Sequence, residues 1–188
     1  TVDLPVTTDG TTAPAGLTGR KTVCHMTVYN SPEFNRERAL FHNIAHELAH
    51  CFQSYGVYEA GLSSAETSPW WFEGTAEWMA GQVFPPTDSI IMGDMQRNFA
   101  TSMENNLSLL DLDYTASYFW RYIGWQMAAR DVGTMIRNMP ADADQPAYIV
   151  REVPFFADTL HSYAVALAHN RLPAQPAVDR LFGTNKPT

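Results

Sequence analysis

His46-Glu47-Leu48-Ala49-His50 spells HExxH inside a strongly helical stretch. At about 100° per residue, His50 lies only about 40° around the helix from His46 and one turn along it, so both imidazoles face one point. Glu47 sits about 100° from His46 and about 60° from His50, which carries its carboxylate past that point. A zinc hydrolase needs two neutral nitrogen ligands, a general base beside a metal-bound water, and an open coordination position. It also needs a third protein ligand. Downstream, Trp70-Trp71-Phe72-Glu73-Gly74-Thr75-Ala76-Glu77-Trp78 offers two carboxylates, Glu73 and Glu77, at i and i+4 on one helical face. One can bind the metal while the other accepts a hydrogen bond from a ligand imidazole.

Two helices must carry these groups. Ser31-Pro32 reads as an N-cap followed by Pro at the first helical position, and the helix it opens should run to about Tyr55, with Gly56 as terminator. Its apolar face is Leu40, Ile44, Leu48 and Phe52, spaced by four, with Phe41 and Ala45 alongside. Ser68 and Pro69 open the second helix, and Gly81 ends it. Residues 82–92 read as a loop and Asp94–Asn105 as a shorter helix. Asp113 caps a helix to about Arg130, Asp131 caps another that Pro140 stops, and Phe155–Asn170 forms a last one. Thr22–Tyr29 is the best strand, being β-branched, aromatic and roughly alternating. Residues 1–20 and the Pro-rich tail 173–188 read as irregular. The expected fold is α+β and mostly helical, one domain over 1–188 with a small N-terminal sheet.

HELAH followed by WWFEGTAEWMAG resembles the gluzincin metallopeptidases, and most of all the catalytic core of bacterial collagenase-type peptidases. The likeness covers about residues 20–135 and is more distant to the alanyl-aminopeptidase group. It implies a zincin-like domain in which His46, His50 and Glu73 bind zinc, Glu47 is the base, and Glu77 is the hydrogen-bond partner of a ligand. The 22 residues between His50 and Glu73 suit such enzymes. The metzincin pattern fails, because Gln53 and Gly56 stand where Gly and His are required. Gly74–Gly81 echoes the aspzincin pattern, which would make Glu77 the ligand instead. Gluzincins also place a Tyr at the start of a later helix to stabilise the oxyanion. Tyr114 matches that place in Tyr114-Thr115-Ala116-Ser117-Tyr118, with Tyr118 next in line.

Other candidates weigh less. His42 shares the row of His46 and His50, but three ligands from one straight helix cannot surround a tetrahedral ion, so it should support the site or face solvent. Ser102-Met103-Glu104-Asn105 echoes an aminopeptidase motif but falls on the wrong side of HExxH. His25, His161 and His169 read as structural or solvent-facing. Tyr118, Tyr122 and Trp125 form an aromatic stripe better suited to a core.

The rest of the composition sets bounds. In 188 residues, charged side chains are 17%, hydrophobic ones 45% and aromatic ones 12%, which excludes a disordered chain. A net charge of −8 argues against a nucleic-acid or anionic membrane surface as partner. Cys24 and Cys51 fit one disulfide, and the Thr/Pro/Gly-rich start fits an exported protein. The expected activity is zinc-dependent peptide hydrolysis. The resemblance implies a strand that pairs with extended substrate, which favours an endopeptidase over an aminopeptidase. A catalytically silent zinc-binding protein is the alternative. Relatives of this kind carry a larger sheet than Thr1–Tyr29 can supply, so the chain also reads as a candidate part of a longer protease.

Overall fold

A computed structural model of the chain describes residues 11–15, 23–27, 37–59, 68–84, 89–140, 142–169 and 171–172. They are mostly helical. Two short strands, β1 (Thr11–Ala15) and β2 (Val23–Thr27), pair antiparallel, with Ala13 opposite His25. β1 therefore corrects the reading of 1–20 as irregular throughout. Its Pro14 is tolerated because a two-stranded ribbon consists only of edges. The Ser31-Pro32 start and the tail 173–188 lie outside the described residues.

Seven α-helices follow among the described residues: α1 (Glu37–Glu59), α2 (Pro69–Val83), α3 (Ser89–Glu104), α4 (Ser117–Gln126), α5 (Ala129–Arg137), α6 (Gln145–Glu152) and α7 (Phe156–Ala168). Neither glycine stops its helix: α1 runs through Gly56 and α2 through Gly81. An interior Gly costs only about 1 kcal/mol relative to Ala, which helix packing readily outweighs. α3 starts at Ser89, inside the expected loop. It ends in a Schellman turn, where Leu107 N–H donates to Ser102 O and Asn106, at φ 54°, donates to Met103 O. Ser102–Asn105 is thus a helix end. Asp113 caps a 3-10 turn, Tyr114–Ala116, that leads into α4. α6 was not anticipated. No helix among the described residues is long and apolar enough to cross a membrane.

The core surrounds α4. Tyr118, Phe119, Trp120 and Ile123 are fully enclosed by α2 (Trp70, Trp71, Trp78), α3 (Met95, Phe99), α5 (Val132, Met135, Ile136) and α7 (Tyr163). The α5 residues recur at i, i+3 and i+4, as a half-buried helix requires. Trp70 and Trp120 stack with centroids 5.3 Å apart. Trp120 Nε1 donates to Trp70 O, and Trp70 Nε1 donates to Gln145 Oε1 on α6. Buried indoles need such partners, and each aromatic pair adds about 0.5–1.5 kcal/mol beyond its area. Gly124 lets α4 lie against Trp78, since a Cβ there would meet the indole at 2.9 Å. Tyr118 and Tyr122 belong to this core, but Trp125 is exposed, so the aromatic stripe is buried only in part.

α1 reverses the expected burial. Leu48 and Phe52, in the apolar row, are 54% and 44% exposed, while His42, His46, His50 and Gln53 are buried against α2. The helix turns its polar side inward.

Candidate metal centre

Two helices bring three ligand atoms to one place. His46 Nε2 and His50 Nε2 lie 3.0 Å apart, and Glu73 Oε2 lies 3.2 Å from each. In tetrahedral zinc sites, ligand distances of about 2.0–2.2 Å put neighbouring donor atoms about 3.3–3.5 Å apart, so the triangle is within a few tenths of an ångström of that shape. The three side chains form a group that can hold a metal ion.

Hydrogen bonds fix which ring atoms face inward. The Gln53 side-chain N–H donates to Phe72 O and to Thr75 Oγ1, so its oxygen must be the atom facing His50. His50 Nδ1 then donates to that oxygen at 2.8 Å, which leaves Nε2 of the neutral ring with a lone pair. His46 Nδ1 lies 3.3 Å from Glu77 Oε2 and donates to it, with the same result for its own Nε2. Two imidazole lone pairs and a carboxylate therefore converge with no donor among them. That arrangement requires a cation, whether a metal or a proton.

In the absence of metal a proton takes the place. Burial alone would lower the His46 pKa, but its bonds to Glu73 and Glu77 outweigh it and raise the value to about 9. Burial would raise the Glu73 carboxyl; the two imidazoles outweigh that and bring it down to about 2. Glu77 is likewise held well below the usual range, its burial overcome by His42 and His46.

Tyr114 lies over the site. Its ring stacks on His46 with centroids 5.5 Å apart. Its hydroxyl hydrogen-bonds Glu73, and burial together with the charges of Glu73, Glu47 and Asp113 raises its pKa, so it stays a donor. Glu47, next to His46 in the chain, is also buried. Gly74 sets the spacing: a Cβ there would stand 2.7 Å from Ala116 Cβ and 3.3 Å from Asp113 O. Only a residue without a side chain lets the 3-10 turn approach α2 so closely. Tyr118, by contrast, packs edge-on to Phe99, 5.2 Å away, inside the core.

Gln53 and Phe72 carried no clear signal in the sequence, whereas the spacing of His42 left it to support the site or face solvent, and the structure shows the first. Gln53 could have been sought three residues after His50, on the same helical face. The Phe72 ring stacks on His50 at 4.3 Å, and only its place beside Glu73 hinted at this. His42 is buried, with Nδ1 2.7 Å from Phe84 O and Nε2 2.9 Å from Glu77 Oε1.

Residues 6–168 match the model of DUF6055, a family of unknown function. The chain belongs to that family. The stretch shared with the DUF6055 model ends where α7 ends and contains every residue of the centre, from His42 to Tyr114. No curated protein and no solved structure gives a significant match.

Proposed function

We propose that the protein is a zinc-dependent metallopeptidase of gluzincin type, with a zincin-like fold, that cleaves within extended peptides. The observation that carries this reading is the convergence of His46 Nε2, His50 Nε2 and Glu73 Oε2, all acceptors, with Glu47 next to His46 in the chain and its charge bearing on Tyr114. His46, His50 and Glu73 would hold the ion. Bound zinc supplies a Lewis acid and a water acidic enough to lose its proton near neutral pH. Glu47 would serve as the general base toward that water and would carry the proton to the departing amine. The Tyr114 hydroxyl, kept protonated by its surroundings, donates to the carbonyl oxygen as negative charge develops there. The β1–β2 ribbon is the candidate edge for an extended substrate. The disulfide at Cys51 supports an oxidising, exported setting.

Glu47→Gln tests the mechanism. Zinc stoichiometry measured by elemental analysis should stay at one per chain, while hydrolysis of an unfolded protein substrate falls by about a hundredfold or more. Undiminished hydrolysis in that variant would sink the assignment of the base. Stoichiometric zinc with no hydrolysis by the wild type would favour a structural metal instead.

A further inference from the structure

His42 lies one turn before His46 on α1, and a third imidazole from the same row has no place on the ion. Yet it is only 2% exposed, and both of its nitrogens are engaged. Phe84 O, at the end of α2, can only accept, so His42 Nδ1 carries a proton and donates to it at 2.7 Å. Glu77 Oε1, 2.9 Å from His42 Nε2, is also an acceptor, so His42 is an imidazolium that donates from both nitrogens, while the other oxygen of the same carboxylate receives His46 Nδ1 at 3.3 Å. Glu77 therefore sits between two imidazoles, one that faces the metal and one that does not.

A buried set of this kind is weak as a source of stability, because well-packed apolar residues generally do as well or better. Its geometry suits another task. A Glu side chain has three torsions, and a carboxylate held by His46 alone could swing and take the ring with it. With Oε1 fixed by His42, Oε2 has one direction left, toward His46 Nδ1. That fixes the ring plane and aims Nε2 at Glu73. His50 is held by the same logic: Gln53 orients it, and Gln53 is itself fixed by Phe72 O and Thr75. Arg121 also bears on Glu77, but through its charge at a distance and not through a hydrogen bond.

Resting on the metal-centre reading above, we infer that His42 is a positioning residue of the centre. It locks the Glu77 carboxylate that orients the ligand His46, and it brings the last turn of α2 into the control of metal binding.

The test uses the full chain, with zinc affinity read by chelator competition and ligand geometry by the visible spectrum of the cobalt-loaded protein. Partners of ligand imidazoles typically govern about 10–100-fold in metal affinity. H42A is therefore expected to bind zinc about tenfold more weakly, with a displaced cobalt spectrum. H42Q keeps an N–H for Glu77 but not the ring, and should lose only about threefold. In an E77Q background, adding H42A should weaken zinc no further, because the connection is already cut. Unchanged affinity and spectrum in folded H42A overturn the role of His42 while leaving the metal centre standing. If H42A does not fold, the same result in H42Q overturns it. Wild-type protein that takes up no zinc overturns the centre itself.

Discussion

The two sides of α1 obey opposite rules. Toward α2 the helix presents His42, His46, His50 and Gln53, all buried and each hydrogen-bonded to a named partner. The other side carries Phe41, Leu48 and Phe52, apolar and exposed; Leu48 borders a groove of about 270 Å³ that Ile44, Ala45 and Ala49 share with Met79, Val83 and Phe84 at the end of α2, where Phe41 stacks on Phe84. A helix that packs by hydrophobicity alone would be turned the other way. Burying polar side chains costs free energy unless every donor and acceptor is matched. Here, with His42 donating from both nitrogens, they are matched except at the point where three acceptors meet. The polar side is organised around that one unmet demand, and the contrast between the sides is evidence that the helix is oriented by a site.

The strongest way to break the contrast is to remove the demand. Glu73→Ala should lower zinc affinity by more than about a hundredfold, beyond the range typical of supporting residues, whereas Glu77→Gln should stay within it. Chelator competition on both variants decides; a larger loss in the Glu77 variant would mean that the two glutamates had been assigned the wrong way round. Next in size is Gly74→Ala. Its Cβ collides with Ala116, so thermal unfolding should show a loss of about 1–3 kcal/mol, with Tyr114 pushed off His46.

The metal-free protein should show the same demand as a pH optimum. Glu73 titrates at about 2 in place of 4.5, so its contribution is present above pH 4.5 and disappears as pH falls through 2. His46 titrates at about 9 in place of 6.5, so its contribution is complete below pH 6.5 and disappears as pH rises through 9. The melting temperature of the zinc-free protein should therefore peak between pH 4.5 and 6.5. A melting temperature still rising at pH 9 would contradict the shared proton. The smallest effect belongs to the other side of the helix. Leu48→Ser with Phe52→Ser should leave zinc affinity unchanged and shift stability by no more than about 0.5 kcal/mol each, as expected of surface changes. A loss of several kcal/mol would show that the apolar row is buried in solution.

HExxH and the paired glutamates were legible because their geometry is local: i and i+4 on a helix fix the directions of the side chains whatever surrounds them. Asp113 and Tyr114 were placed by a capping signal and a resemblance, though the cap begins a 3-10 turn and not the helix itself. The orientation of α1 was misread because periodicity identifies two faces without saying which one is buried. The functions of His42, Gly74 and Gln53 depend on Phe84 O, Ala116 and Phe72 O, backbone or small groups 19 to 42 residues away that no pattern in the chain announces.

The ligands and their supporting side chains all lie between His42 and Phe84, whereas Tyr114 comes from a separate segment. Closing a loop becomes harder only slowly with length, by about 0.6 kcal/mol per doubling, so nearness in sequence matters less for final stability than for timing. During synthesis from the N-terminus, every group that could hold the ion has been made before Tyr114 is added. The binding half of the centre can be assembled first, and the hydroxyl that completes it arrives last.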